Sequence, residues 1–276
     1  MSPSPIIQNF VGTFLTVTTC TCQAKSEKRD SFCSLELAIP PGNTPSLQSC
    51  LAEYFRPKKV VWSCANCLKK EIPATQKTSI DFIPKCLLIQ FVRWSQEKNE
   101  KGDVITSKNN ANIIFTEGVD FTYVLTEENI LANNPNMTLR GVLEHDGSKS
   151  GGHYTNLHLT ADQLYGTDNG AVSIGKTHQS RYAYMLMYAC SSSGIPYSTA
   201  PIGLANPRRK NRCYFNAALQ LLSCGPSLIS GFMIPPGGIL TRDMDEQSYH
   251  SYKPGWSCEG GWVSVRWACF FRAPCH

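Results

Sequence analysis

The stretch Gly147-Ser-Lys-Ser-Gly-Gly-His153-Tyr154-Thr-Asn-Leu-His-Leu159 decides how the rest of the chain is read. Glycines lead up to His153 and an alternating run follows it, which marks a turn feeding a strand. A histidine in that position is held by rigid backbone yet reaches a cleft. Further on, Leu164-Tyr-Gly-Thr-Asp168-Asn169-Gly-Ala-Val172 reads as a second short strand ending in a carboxylate and an amide. If the two strands pair, Asp168 sits against the far ring nitrogen of His153 and fixes the tautomer of a general base. The nucleophile such a base needs is offered at Cys213, in Asn211-Arg-Cys213-Tyr-Phe-Asn216-Ala-Ala-Leu-Gln220-Leu-Leu222. Tyr214 to Leu222 reads as a helix opening at or near Cys213. A cysteine there sees the positive end of the peptide dipoles, which favours thiolate.

Taken singly, each residue has an ordinary reading. A cysteine before an apolar helix is core, and a histidine after Gly-Gly is a turn residue. Asp168-Asn169-Gly170 is a type I′ hairpin sequence. His145 reads as flanking the cleft or capping a strand end. It is the combination that points to a thiol-based acyl-transfer site.

Composition narrows the setting. The chain has 276 residues, 42% hydrophobic and 17% charged, as in a folded soluble protein rather than a disordered one. Net charge is +5 with the basic residues dispersed apart from Arg208-Arg209-Lys210, so no nucleic-acid partner is expected. No apolar run is long enough for a membrane helix. Met1-Ser-Pro-Ser-Pro-Ile-Ile lacks the basic region and long apolar core of a signal peptide, so a cytoplasmic or nuclear location is expected. In that setting the 13 cysteines read as reduced thiols, a metal site and a nucleophile rather than a disulfide scaffold.

Several strands are predicted along the chain: Phe10 to Thr19, Ser34 to Ile39, Val60 to Trp62, the apolar run from Ile80 to Trp94, Asn112 to Phe115, Thr138 to Leu143, Tyr154 to Leu159 and Ala183 to Tyr188. Tyr182 to Tyr188 is apolar throughout, as expected for a central strand covered on both faces. Leu47 to Phe55 has helical spacing with Ser46 as its cap. Gln96 to Asn112 is polar and reads as a long surface loop. Short returns between strands favour antiparallel pairing. Cys64-x-x-Cys67 is a metal knuckle, and Cys20 with Cys22 is its natural partner pair. The alternative is that these are buried reduced thiols or remnants of a lost site, and Cys33 and Cys50 are the spare candidate ligands.

Gly152-His153-Tyr154, Asp168-Asn169 and Tyr182-Ala-Tyr-Met-Leu-Met-Tyr188 resemble the histidine box of the ubiquitin-specific proteases, which are papain-like cysteine peptidases. Gly203-Leu204-Ala205-Asn206 with Asn211-Arg212-Cys213-Tyr214-Phe215-Asn216 and Leu219-Gln220 resembles their cysteine box. The resemblance covers roughly residues 10 to 225 and includes the cysteine pairs, which match the family's zinc-binding fingers except that Cys20-x-Cys22 is one residue shorter. The strand ending at Arg93 also matches, with Trp94 in place of Phe. The order of the boxes is reversed, as in a circular permutation or a chain cut from a tandem gene.

The resemblance implies an α+β fold: a mainly antiparallel β palm, zinc-ribbon-like fingers, a short cysteine-box helix and a truncated thumb. It places the fingers at residues 1–85, the palm at 86–190, a linker at 191–202, the cysteine box and thumb helix at 203–235 and a tail at 236–276. It implies a deubiquitinating thiol peptidase that cleaves after the C-terminal glycine of ubiquitin. Cys213 would be the nucleophile, His153 the base, Asp168 its orienter with Asn169 in reserve, and Asn206 the oxyanion donor, with Asn211 the alternative. Cys20, Cys22, Cys64 and Cys67 would hold a structural zinc ion. The family's long helical thumb has no counterpart after Cys213, which implies a cleft that is incomplete or completed by another chain. The alternative functions are a catalytically inactive ubiquitin-binding module and a fragment of a tandem protease gene. If the cysteine helix folds back onto the palm, it is expected to bury its Leu219 and Leu222 side.

Overall fold

Two stretches of the chain are almost wholly apolar, Cys86–Val92 (with Gln90 its one polar residue) and Ala183–Cys190, and they pair with each other at the centre of the larger of two principal sheets. The computed structural model describes residues 5–42, 44–127, 136–148, 151–160, 164–174, 179–190, 204, 206 and 213–223. The linker at 191–202, the tail at 236–276 and Asn211 lie outside the described residues.

In chain order, helix α1 (Pro5–Phe10) leads into β1 (Gly12–Cys20), β2 (Lys25–Phe32) and β3 (Ser34–Ala38), then α2 (Leu47–Tyr54), β4 (Lys58–Trp62), β5 (Ile72–Phe82) and β6 (Cys86–Val92). Next come β7 (Trp94–Lys98), β8 (Val104–Lys108), β9 (Ile113–Ile114) and β10 (Gly118–Val119). The histidine-bearing half follows as β11 (Met137–Ser148), β12 (Gly151–Leu159), β13 (Leu164–Asp168), β14 (Ala171–Ile174), β15 (Gln179–Ser180) and β16 (Ala183–Cys190). The last described helix is α3 (Cys213–Ser223).

The smaller principal sheet runs β2-β1-β5-β4, antiparallel throughout. Its strand β1 is rich in threonine, a β-branched residue that suits a half-buried pleated surface. Its edge strand β2, Lys25-Ser-Glu-Lys-Arg-Asp-Ser-Phe32, is charged and exposed up to Ser31. Charge on an edge strand blocks further pairing, and it also hides the strand from any search for apolar alternation.

The larger sheet has eight strands in the order β14-β13-β12-β11-β16-β6-β3, with β10 beside β11. All its pairs are antiparallel except β3 with β6. Side chains alternate between its faces with period two. Leu87, Ile89, Phe91, Leu186 and Tyr188 enter one core with Leu47 and Leu51 of α2. Cys86, Leu88, Met185 and Met187 enter the other with Phe10 of α1 and Ala217 and Leu221 of α3. The two central strands are therefore almost wholly apolar because each of their faces is covered. Ser46 caps α2 as expected: its hydroxyl accepts from the Ser49 N–H at 3.1 Å, and the Ser49 hydroxyl accepts from the Ser46 N–H at 3.0 Å.

Two expectations are corrected. The polar stretch after Trp94 is a hairpin of β7 and β8, not a structureless loop. Its turn is set by Asn99, whose Oδ1 accepts from the backbone N–H of Lys101 and of Asp103, and by Gly102 at φ +85°. Both faces of this hairpin are mostly polar, so no apolar alternation marks it. The helix α3 buries Cys213, Asn216, Ala217, Gln220 and Leu221, whereas Leu219 and Leu222 are half-buried. That stripe has helical spacing, but it mixes amides with small apolar residues, and a search by hydrophobicity alone selects a neighbouring face.

Among the described residues no helix is long and apolar enough to cross a membrane.

Candidate active site and cysteine cluster

The β11–β12 hairpin builds the first half of the site. Gly147 pairs with Gly152, and His153 pairs with Asp146. The glycines are there for space: a Cβ on Gly147, at φ +138°, would meet the Gly152 Cα at 2.4 Å. A Cβ on Gly152 would meet the His145 Nε2 at 2.3 Å. Gly151 and Gly152 both belong to β12 itself, and it is Gly152 that allows His145 to pack against the strand. The His145 ring lies 4.4 Å from that of Tyr154, centroid to centroid, and within 6.2 and 6.4 Å of the Tyr184 and Trp94 rings. Burial, with Lys108 beside it, pushes the His145 imidazole down to about 4, so it is neutral at physiological pH.

His153 emerges on the open part of the hairpin, with its side chain 46% exposed. Its Nε2 lies 2.7 Å from Asp168 Oδ1 at the end of β13. The chain turns immediately after Asp168 through Asn169 at φ +50°, and the Asn169 Nδ2 donates to Asp168 Oδ1 at 3.1 Å. β12 and β13 pair from Asn156 with Thr167 to Leu159 with Leu164, which sets the histidine and the carboxylate side by side.

Cys213 occupies the first residue of α3, which packs on β12, β11 and β13. Its Sγ lies 4.0 Å from the carbonyl oxygen of Gly152, the residue before His153. The Tyr154 phenol is pushed up to about 12 by burial, by Tyr184 and by the nearby Cys213. Of the remaining residues singled out in the sequence, Asn206 is half-buried, and its buried Oδ1 has no hydrogen-bond partner among the described residues.

One residue of the site carries no signal of its own in the sequence. Asn216 donates through Nδ2 to Asn169 Oδ1 at 3.1 Å and to the Leu204 carbonyl at 3.2 Å. Its position one helical turn after Cys213 is the signal that places both on one face.

The cysteine cluster forms at one end of the four-stranded sheet β2-β1-β5-β4. Cys20 ends β1, Cys22 lies in the turn to β2, and Cys64 and Cys67 lie between β4 and β5. Gln23, at φ +67°, tightens the first turn, and Leu68, at φ +56°, the second. The four Sγ atoms lie within 4.8 Å of one another, with Cys20 to Cys67 at 3.9 Å and Cys22 to Cys64 at 3.7 Å. Zinc held tetrahedrally by thiolates at ~2.3 Å sets its sulfurs about 3.8 Å apart, so the donor set and its spacing fit such an ion. The one-residue contraction of Cys20-x-Cys22 does not prevent the four from converging. The Ala24 backbone N–H and Cys20 hold the Cys22 thiol down to about 6.

The ubiquitin carboxyl-terminal hydrolase family model matches residues 1–188, and the chain belongs to that family. Its fold is shared with the solved SAGA Ubp8/Sgf11/Sus1/Sgf73 DUB module bound to ubiquitin aldehyde, at TM-score 0.57 and 21% identity, covering 67% of this chain and 42% of that one. Ubiquitin carboxyl-terminal hydrolase 5 of Saccharomyces cerevisiae is 28% identical over 162 residues, which is 55% of this chain and 20% of that protein. Ubiquitin carboxyl-terminal hydrolase Usp2 of Drosophila melanogaster is 27% identical over 190 residues, which is 65% of this chain and 19% of that protein. The chain spans about a fifth of the length of these curated relatives.

Proposed function

We propose that the chain is a deubiquitinating thiol peptidase that hydrolyses the peptide or isopeptide bond after the C-terminal glycine of ubiquitin. The observation that carries this reading is the convergence of Cys213, at the start of α3, on the Gly152–His153 strand, whose histidine faces Asp168 at 2.7 Å. His153 takes the thiol proton, and the Cys213 sulfur attacks the carbonyl carbon of the terminal glycine. The carbonyl oxygen becomes an oxyanion, which the Asn206 amide stabilises by donating a hydrogen bond. Collapse of the adduct breaks the C–N bond, and the histidinium gives its proton to the departing amine. Water, deprotonated by His153, then splits the thioester and restores the thiol. Asp168 holds the imidazole in orientation throughout, with Asn169 bonded to the same carboxylate.

On this reading residues 1–85 supply the fingers and 86–190 the palm that grip ubiquitin, and Cys20, Cys22, Cys64 and Cys67 hold one structural zinc ion. No disulfide links the described cysteines. Their thiols suit a reducing compartment, in keeping with a cytoplasmic or nuclear protein.

A second reading is a ubiquitin-binding module without hydrolytic activity, or a fragment of a tandem protease gene in which the boxes are out of order. It is favoured by the family match, which ends at residue 188, before Cys213. Release of a fluorophore from the C-terminus of ubiquitin, compared between the native chain and Cys213→Ala, separates the readings. Turnover lost in the variant supports the peptidase. Calorimetric binding of ubiquitin without turnover supports the module, and absence of both rejects the two functional readings.

A further inference from the structure

We propose that Asn216 is a positioning residue that locks the cysteine helix to the histidine pair, an inference that rests on reading Cys213 and His153 as the reacting groups. Asn216 is 6% exposed, so its amide depends on protein partners rather than water. Its Nδ2 carries two protons and meets two acceptors, Asn169 Oδ1 at 3.1 Å and Leu204 O at 3.2 Å. A backbone carbonyl can only accept, so Leu204 fixes which end of the Asn216 amide faces that way. Asn169 must then offer its oxygen to Asn216 and its Nδ2 to the Asp168 carboxylate, which again only accepts. The same Asp168 Oδ1 faces His153 Nε2.

The direction of donation is therefore settled along the whole chain of bonds. Asn216 donates to Asn169, Asn169 to Asp168, and His153 donates to Asp168 from the other side. His153 carries its proton on Nε2, which leaves Nδ1 as the basic nitrogen. Asn216 and Cys213 lie one turn apart on α3, so the bond that anchors one registers the other. The bond to Leu204 adds the segment that carries Asn206, two residues on. Asn216 thus ties together the helix of the nucleophile, the turn of the carboxylate and Leu204, two residues before the oxyanion donor, without touching a reacting atom.

The test uses the full chain and iodoacetamide, with alkylation followed at the Cys213 peptide by mass spectrometry from about pH 5 to 9, the range that separates an ion-paired from a free thiol. The variants are Asn216→Ala, Asn169→Gly and the double substitution. Asn169→Gly keeps the left-handed turn while removing the side-chain link, so it reads the chain of bonds even where a helix variant unfolds. The expected result is a native Cys213 that reacts at neutral pH, and single variants slowed about tenfold there with the rise displaced toward the free-thiol range. The double variant is expected to be no slower than the slower single one, because both break one chain. Folded variants that keep the native profile, or a double variant showing the product of two independent losses, would overturn the role of Asn216. A native Cys213 that itself titrates as a free thiol near ~8.5 would overturn the Cys213–His153 reading, and this inference with it.

Discussion

The Nε2 of His145 lies where a side chain on Gly152 would begin: a Cβ there would come within 2.3 Å of it, and within 2.5 Å of the Asp146 carbonyl oxygen. The glycine before the proposed base is therefore a packing requirement. It lets a neutral buried ring support the strand from which His153 projects, and its own carbonyl is the group that Cys213 meets.

Gly152→Ala is expected to destabilise the fold by about 1–3 kcal/mol, the usual cost of forcing atoms into a filled space. Denaturant unfolding measures it. Removing the ring in a His145→Ala/Gly152→Ala double variant should not restore stability, because the Asp146 oxygen remains in the way. Native stability in Gly152→Ala would show that the hairpin is looser than described.

Stability should fall on acidification. His145 and His158 are 5% and 2% exposed, and burial depresses each imidazole from 6.5 to about 4. The unfolded chain binds these protons first, so the contribution is complete above pH 6.5 and is lost as pH falls toward 4. A tenfold difference in proton affinity between the folded and unfolded chain is worth about 1.4 kcal/mol, which bounds the loss at about 3 kcal/mol per histidine. Unfolding midpoints across that range check the slope, and His158→Gln should flatten it. A flat profile in the native chain would contradict the buried neutral state.

The cysteine cluster predicts about one zinc ion per chain by elemental analysis, the capacity of a four-thiolate site. Chelation or Cys64→Ser should lower the melting temperature, because such an ion contributes folding free energy directly. The four-stranded sheet should lose amide protection before the larger sheet does. Metal-free protein with an unchanged melting temperature in chelator would count against the site.

Much of the larger sheet was legible because burial on both faces writes unbroken apolar runs, as in Leu186-Met-Tyr188, and because Ser46 announces the start of α2. The contact between His153 and Asp168 was legible for a similar reason: His153 follows Gly151-Gly152 near the start of β12, Asp168 ends β13, and pairing of those strands brings the two side chains together. What stayed hidden was polar. The strand β2 and the β7–β8 hairpin carry charges and amides where an apolar alternation would have marked them. The buried face of α3 escaped for the same reason, since Asn216 and Gln220 share it with Ala217 and Leu221. A buried amide is justified by its partners, and Asn169 and Leu204 are remote in sequence.

The central claim is that Cys213 and His153 form one reacting pair on a surface that receives ubiquitin. The most direct measurement is incubation of the full chain with ubiquitin bearing an electrophile at its C-terminal glycine, followed by peptide mapping of any covalent product. The account predicts one adduct, located at Cys213, absent in Cys213→Ser and formed at least about 10²-fold more slowly in His153→Ala, the scale of a lost general base. No adduct on the folded chain, or an adduct that persists in Cys213→Ser, would contradict it.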